Sequence, residues 1–433
     1  MKEFPFSLGD WIKAGLRSDY RNGVNTPGLV ECMNARPTPK GLLPPEEVTM
    51  PFTFGGHLQT IDWPFPQYFR GRSHSYLVTR ETFYEVEDDL TLTHRLDQAT
   101  DSIWTWADYG DFVLFSDGVN SVYRNTTTGN LALTWDYITA NGICDYKGQI
   151  IAAGLEDDNT RVGWSEIGSA VFEVSRSNVA GYMPSPYGGD IYNAKRLGDY
   201  VVVYGENGVF ALAPSSETPT FGMVELIGVG VKWKGAIGGD VNTQYFVSVD
   251  DELWKITKKP EVGKLGYSEF FGDDEIMGSF DPKEGDTYLC SNTHGYIVTS
   301  TGVGETAKPV TSVGRVNGNL YGCFRDLHDG EMRIRTDNVN LGQPGMKTVK
   351  VVSIKVHTPN DIWARVDWVG NMDPSKVSIT PWRRVNSSGW VVLPMSGDEF
   401  RIGVKIGEYN DSYISDLDVR WQLSDKRAIR GIY

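Results

Sequence analysis

Residues 199–213 read DYVVVYGENGVFALA, two short apolar runs on either side of Glu206-Asn207-Gly208. Asn-Gly is the commonest tight hairpin turn, because both residues tolerate positive φ. Val201, Val202 and Val203 are β-branched and Tyr204 and Phe210 are aromatic, so the stretch reads as two antiparallel strands rather than a helix. A lone hairpin is not stable in water and needs something to pack against.

The chain supplies it. Similar patterns occur at 74–86 (HSYLVTRETFYEV), 111–124 (DFVLFSDGVNSVYR), 148–166, 243–256, 286–300 and 319–336, the last turning at Asp329-Gly330. The seven starts fall 37, 37, 51, 44, 43 and 33 residues apart. Blades of a β-propeller repeat at about 40–50 residues, with four strands each. Each unit is expected to be an inner hairpin plus one or two weaker strands from the connecting segment. Radial stacking covers both faces of every sheet and shortens exposed edges. The fold expected is therefore all-β, a β-propeller of six or seven blades over residues 67–340. A β-sandwich is the competing arrangement.

The two ends differ from this body. In residues 1–66, Ser7 and Asp10 stand where a cap would start one short helix over 8–17, with Leu8, Trp11, Ile12 and Leu16 on one face. Pro37, Pro39, Pro44 and Pro45 then enforce extended backbone, giving an arm that lies along a neighbour or caps its own domain. Residues 341–433 alternate apolar and polar positions, as in Phe400, Ile402, Val404 and Ile406 against Arg401, Gly403 and Lys405. A C-terminal antiparallel β-sandwich with a short basic tail fits that pattern.

The formal charge is −15, from 41 basic and 56 acidic residues. It is unevenly spread: residues 341–433 hold 13 Lys and Arg against 10 Asp and Glu, so the acidic excess lies entirely in residues 1–340. A nucleic-acid reader carries a basic face, so sequence-specific DNA or RNA binding is disfavoured. Cys32, Cys144, Cys290 and Cys323 are far apart, without CxxC or Cys/His clusters, and read as buried free thiols. The start, MKEFPFSLGDWIK, lacks the apolar stretch of a signal peptide, and no run of about 18 apolar residues is present to span a membrane. The expectation is a protein made in the cytoplasm and released, if at all, by lysis.

Catalytic and metal motifs are missing. None of His57, His74, His94, His294, His328 and His357 has paired-ligand spacing, and there is no GxSxG, P-loop or cofactor fingerprint. The glycine-rich 227–240 lacks GK[ST] and reads as strand and bend. Propeller glycosidases set two carboxylates across a central pocket. Here Asp157-Asp158, Asp250-Asp251 and Asp273-Asp274-Glu275 fall in turns, where solvated charge is the default. Carboxylate-rich LEDDNTR and EYNDSYISDLD lack calcium-loop order, and the sequon at Asn125 has no secretion context. No catalytic, cofactor or metal residue is assigned.

The Pro-rich NGVNTPGLVECMNARPTPKGLLP, the hairpin-repeat body, and the C-terminal NSSGWVVLPMSGDEFRIGVKI with its final DKRAIRGIY resemble structural proteins of tailed bacteriophages. The similarity is to the propeller-bearing tail nozzle or head-completion proteins of short-tailed phages. That resemblance implies a non-enzymatic virion protein made in the host cytoplasm, forming a ring (usually a hexamer) beside portal, adaptor or other tail proteins. It also implies a channel that conducts or seals genomic DNA at the head-to-tail connection without reading its sequence. A carboxylate-lined wall would repel phosphate over about 8 Å at physiological salt and let DNA slide. The tail residues Lys426, Arg427, Arg430 and Tyr433 are the expected partner contacts, by docking or by joining a neighbour's sheet edge. Two other classes stay open: a propeller that binds host glycans or receptors, and a propeller glycosidase or lyase.

Overall fold

A computed structural model describes residues 3–18, 27–49, 67–71, 74–80, 82–97, 102–109, 111–125, 128–129, 131–133, 138–216, 220–273, 275–324, 330–343, 345–357, 361–370, 373–407 and 413–424. The chain forms two compact units: Glu47–Thr293 with Pro309–Arg325, and Met1–Glu46 with His294–Lys308 and Asp326–Tyr433. These units divide the chain differently from boundaries at 66 and 340, because segments from both ends pair with each other.

The first unit is a succession of antiparallel sheets, each taking its strands in chain order. Sheet 1 is Gln67–Arg70, Ser75–Val78, Thr82–Val86 and Leu92–Asp97. Sheet 2 is Thr105–Asp108, Phe112–Ser116, Ser121–Asn125 and Leu131–Leu133. Sheet 3 is Ala140–Tyr146, Gln149–Leu155, Asp158–Trp164 and Gly181–Pro184. Sheet 4 is Ile191–Leu197, Tyr200–Gly205, Val209–Pro214 and Phe221–Ile227. Sheet 5 is Ile237–Gly239, Thr243–Val247, Leu253–Thr257 and Val262–Gly266. Two strand pairs follow: Met277–Asp281 with Asp286–Cys290 (pair 6), and Val310–Val316 with Asn319–Phe324 (pair 7), where Thr49 bridges to Tyr321.

In the four-stranded sheets the hairpins read from sequence are the middle two strands, and the innermost strand is the one that precedes each hairpin. The 319–336 pattern is not a hairpin. Asn319–Phe324 pairs backwards with Val310–Val316, while Met332–Thr336 pairs in the other unit with Leu29–Met33 and Glu399–Ile406. Both strands alternate well enough to mislead, since local pattern does not name a partner.

The opening hairpin is buried on both faces, with Val201, Val202, Val203, Tyr204, Val209, Phe210, Ala211 and Leu212 all at 0% exposure. One face, Val201, Val203, Phe210 and Leu212, packs with Cys144, Tyr146, Ile151 and Trp164 of sheet 3. The other turns Tyr204 toward Phe246 of sheet 5, ring centroids 5.7 Å apart. Sheet 3 packs in turn on Ala107 and Leu114 of sheet 2, and sheet 2 on Tyr76, Val78 and Phe83 of sheet 1. At roughly 1.5–3 kcal/mol per large apolar side chain buried, this stacking is the main stabilising term.

Hydrogen bonds join the sheets in the same order and close it. Trp104 N–H donates to Gln67 Oε1 (3.0 Å), Ile143 N–H to Thr105 Oγ1 (3.0 Å), Asn141 Nδ2 to the Ile191 carbonyl (2.9 Å) and Asn193 Nδ2 to the Lys234 carbonyl (3.2 Å). Gly278 N–H then donates to the Gly235 carbonyl (2.8 Å), Cys290 Sγ to the Val310 carbonyl (2.9 Å) and Tyr68 N–H to Ser312 Oγ (2.7 Å). Tyr68 belongs to sheet 1, so the succession returns to its start. The unit is β-propeller-like.

The second unit holds two sheets. One runs Arg36–Thr38, Gly41–Leu43, Ile414–Leu423, Lys347–Val356, Trp390–Gly397, with Phe4–Ser7 added on Ile414–Leu423. The other includes Leu29–Met33, Met332–Thr336, Glu399–Ile406, Ile362–Gly370 and Asp373–Ser378 in that order. Phe400, Ile402, Val404 and Ile406 are buried, as their alternation predicts. The N-terminal helix is shorter than expected: it spans Gly9–Ala14, starts at Leu8 without a side-chain cap, and ends at Gly15, whose φ of 67° suits glycine. It is the only α-helix among the described residues, and no helix is long and apolar enough to cross a membrane.

Candidate functional site

The innermost strands of the propeller-like unit line a cavity of about 540 Å³. Its charged wall residues are Arg70, Lys195, Arg196, Lys234 and Arg315 against Asp145 and Asp240. The wall is thus basic inside the acidic part of the chain, the reverse of a carboxylate lining.

Most of these charges sit where the innermost strands end: Arg70 closes Gln67–Arg70, Arg196 is next to last in Ile191–Leu197, and Arg315 next to last in Val310–Val316. Trp233 from the segment before sheet 5, Ile103 from the segment before sheet 2, and Met277 and Cys290 of pair 6 form one apolar cluster. Gly235 permits this, since a Cβ there would lie 2.6 Å from Met277 Sδ and 2.8 Å from the Trp233 ring. Beside the cluster Lys234, in the segment before sheet 5, donates its ammonium to Ser102 Oγ, before sheet 2, and to the carbonyl of Asp117 in a turn of sheet 2 (3.2 Å).

The cations differ in their partners. Arg315 is paired with the fully buried Asp281, Nε to Oδ1 at 2.6 Å. Lys195 Nζ donates to the Ile237 carbonyl at 3.3 Å, Arg196 Nε to the Gly198 carbonyl at 3.3 Å beside the Tyr146 ring, and Arg70 Nη1 to Ser75 Oγ at 2.7 Å. Asp240 is occupied by its own turn, accepting from Asn242 N–H, Asn242 Nδ2 and Thr243 N–H. Burial pushes the Lys195 ammonium down to about 8 and lowers Lys234 as well, the latter opposed by the charge of Asp117. Both side chains keep partial contact with solvent, so the cavity is reachable.

A second, smaller cavity of about 160 Å³ in the other unit is lined by Glu31, Arg333, Arg335, Arg365, Trp382 and Lys405. Its cations are already answered. Glu331 takes Arg333 and Lys405, Glu31 lies 3.5 Å from Arg335 and Asp367 3.3 Å from Arg365, which also stacks 4.6 Å from the Trp382 ring.

The residues singled out from sequence fall elsewhere. Lys426, Arg427, Arg430 and Tyr433 lie outside the described residues, as do His57, His328, Asp274, Asp329 and the Thr126-Thr127 part of the sequon. Asp157 and Asp158 pair with Arg161, and Asp251 with Lys232, so these carboxylates answer local cations. The four cysteines are buried and unpaired as thiols. Among the described residues no group of three or more His, Cys, Asp or Glu is placed to hold a metal. The cavity residues were missed because they stand in the weaker strands between hairpins; their signal is a charge three to five residues before five of the seven patterns, at Arg70, Asp145, Arg196, Asp240 and Arg315.

By sequence the chain matches no family model and no curated protein. Among solved structures it is similar to PorZ of Porphyromonas gingivalis (11% identity, TM-score 0.38, 62% of this chain and 35% of that one). It is also similar to the virginiamycin B lyase of Staphylococcus aureus (11%, 0.41, 60% and 92%) and to the Pan2 WD40 domain of Neurospora crassa (8%, 0.37, 59% and 85%). The chain spans about a third of PorZ. These are distant likenesses to propellers, in fold alone.

Proposed function

We propose that the chain is a non-enzymatic structural subunit of a short-tailed phage tail, a seven-bladed propeller joined to a C-terminal sandwich, working as a ring at the nozzle or head-completion position. The observation that carries this is the way the units are tied: the chain passes between them four times, after Glu46, Thr293, Lys308 and Arg325. One linker permits independent motion, the default between domains. Four resist pulling the units apart, as a part under genome pressure requires. The ring, of six copies, abuts portal, adaptor or other tail proteins, and DNA passes among the copies.

The test is the mass of the purified full chain, alone and co-expressed with the products of adjoining genes. A particle near six times 48.2 kDa, seen as a ring by electron microscopy, is expected. A chain that stays monomeric in every combination overturns the proposal.

A further inference from the structure

We infer that the axial cavity of the propeller-like unit is a binding site for a small multivalent oxyanion, a molecule carrying phosphoryl or clustered carboxylate groups. Four cations lining the cavity, Arg70, Lys195, Arg196 and Lys234, have no carboxylate within ion-pair distance among the described residues, and their hydrogen bonds go to carbonyl or hydroxyl oxygens. Gathering unpaired like charges in a partly desolvated space is costly unless something answers them. The other charged groups of the wall do not: Arg315 is bound to Asp281, the Asp240 carboxylate is spent on its own turn, and Asp145 is a single charge. The smaller cavity of the other unit shows the alternative, an arginine cluster neutralised by Glu31, Glu331 and Asp367.

The size suits a small ligand. Its volume of about 540 Å³ lies within the 300–1,000 Å³ of small-molecule sites. Arg70 and Arg196 present planar forks that match phosphate or carboxylate oxygens, while Lys195 supplies a point charge. Its ammonium, held near 8 by burial, is still mainly protonated at neutral pH. A bound anion would relieve that strain.

The experiment is calorimetry and thermal unfolding of the full chain at pH 7 with inorganic phosphate, pyrophosphate, citrate and adenosine monophosphate, against sodium chloride at equal ionic strength and a neutral oligosaccharide. At least one oxyanion should bind and raise the unfolding midpoint beyond chloride. Lys195→Met and Arg196→Gln should each weaken binding roughly tenfold or more, the scale of a charge-assisted hydrogen bond. Lys355→Gln, an exposed position in the other unit, should leave it unchanged. Where Lys195→Met fails to unfold cooperatively, Arg70→Gln serves in its place. Tighter binding of the nucleotide than of phosphate identifies an organic phosphate; equal binding identifies the bare oxyanion. Midpoints that follow chloride, binding of the neutral sugar only, or undiminished binding in the variants overturns the site. None of these outcomes touches ring formation, which is read by mass.

Discussion

Lys195 stands between Ala194, which is buried against sheet 3, and Leu197, which is fully buried, so its backbone is fixed while its ammonium meets one carbonyl. Below pH 8 it is protonated in both folded and unfolded chains, and the folded state carries the cost of the desolvated charge. From about pH 8 to the ordinary value of 10.5 the folded chain has released the proton while the unfolded chain still binds it. The unfolded state then holds more protons, so stability rises with pH across that window. The stability difference between wild type and Lys195→Met, measured by denaturant unfolding in chloride, should therefore move in favour of wild type from pH 8 to 10.5. A difference that stays flat refutes the assignment. The opposite balance occurs at Glu85, 2% exposed, which joins Arg124 of sheet 2 and Arg95 of its own sheet. There burial raises the carboxyl, but the two guanidinium groups outweigh it and leave it below the usual range.

At the scale of elements, the turn that opened the reading works differently from its sequence signature. Gly205 N–H donates to the Gly208 carbonyl (3.0 Å), and neither Asn207 nor Gly208 is among the residues with positive φ. Glycine is needed at 208 because a Cβ there would lie 2.3 Å from the Tyr187 ring, and at 230 because a Cβ would lie 1.5 Å from the Glu206 carbonyl oxygen. The hairpin end is pinned by close approach. Gly230→Ala must displace backbone, and should lower stability by at least the ~1–3 kcal/mol typical of overpacking. Gly263→Ala, where nothing lies within 4 Å, is the matched control and should be nearly neutral. Equal thermal midpoints for the two variants would show that the 205–208 turn yields freely.

At the scale of the molecule, the circle closes through Tyr68 and Ser312, partners 244 residues apart, and the second unit is assembled from both ends of the chain. Phe4–Ser7 pairs with Ile414–Leu423, Phe4 opposite Trp421 with ring centroids 5.1 Å apart. The last residues, 424–433, follow that strand and carry the expected docking cations. Removing them should give a soluble chain that unfolds as before but does not enter rings, measured by mass and by melting. Truncated protein that still assembles excludes the tail from that role.

Period and turn chemistry made the strands legible: β-branched and aromatic runs between polar turns mark the hairpins of all five four-stranded sheets as adjacent strands. Spacing near 40 residues pointed to a propeller-like array, and the alternation at Phe400 to Ile406 to a half-buried strand. These are local properties, written within a dozen residues. Pairing is not local. Whether Asn319–Phe324 joins the strand before it or the one after depends on which apolar faces are already covered, and the sequence pattern is the same either way. Nor could composition show that an acidic chain gathers Arg70, Lys195, Arg196 and Arg315 around one cavity. That follows from strands far apart in sequence ending at the same level of one circle, a geometry that exists only once the sheets have packed.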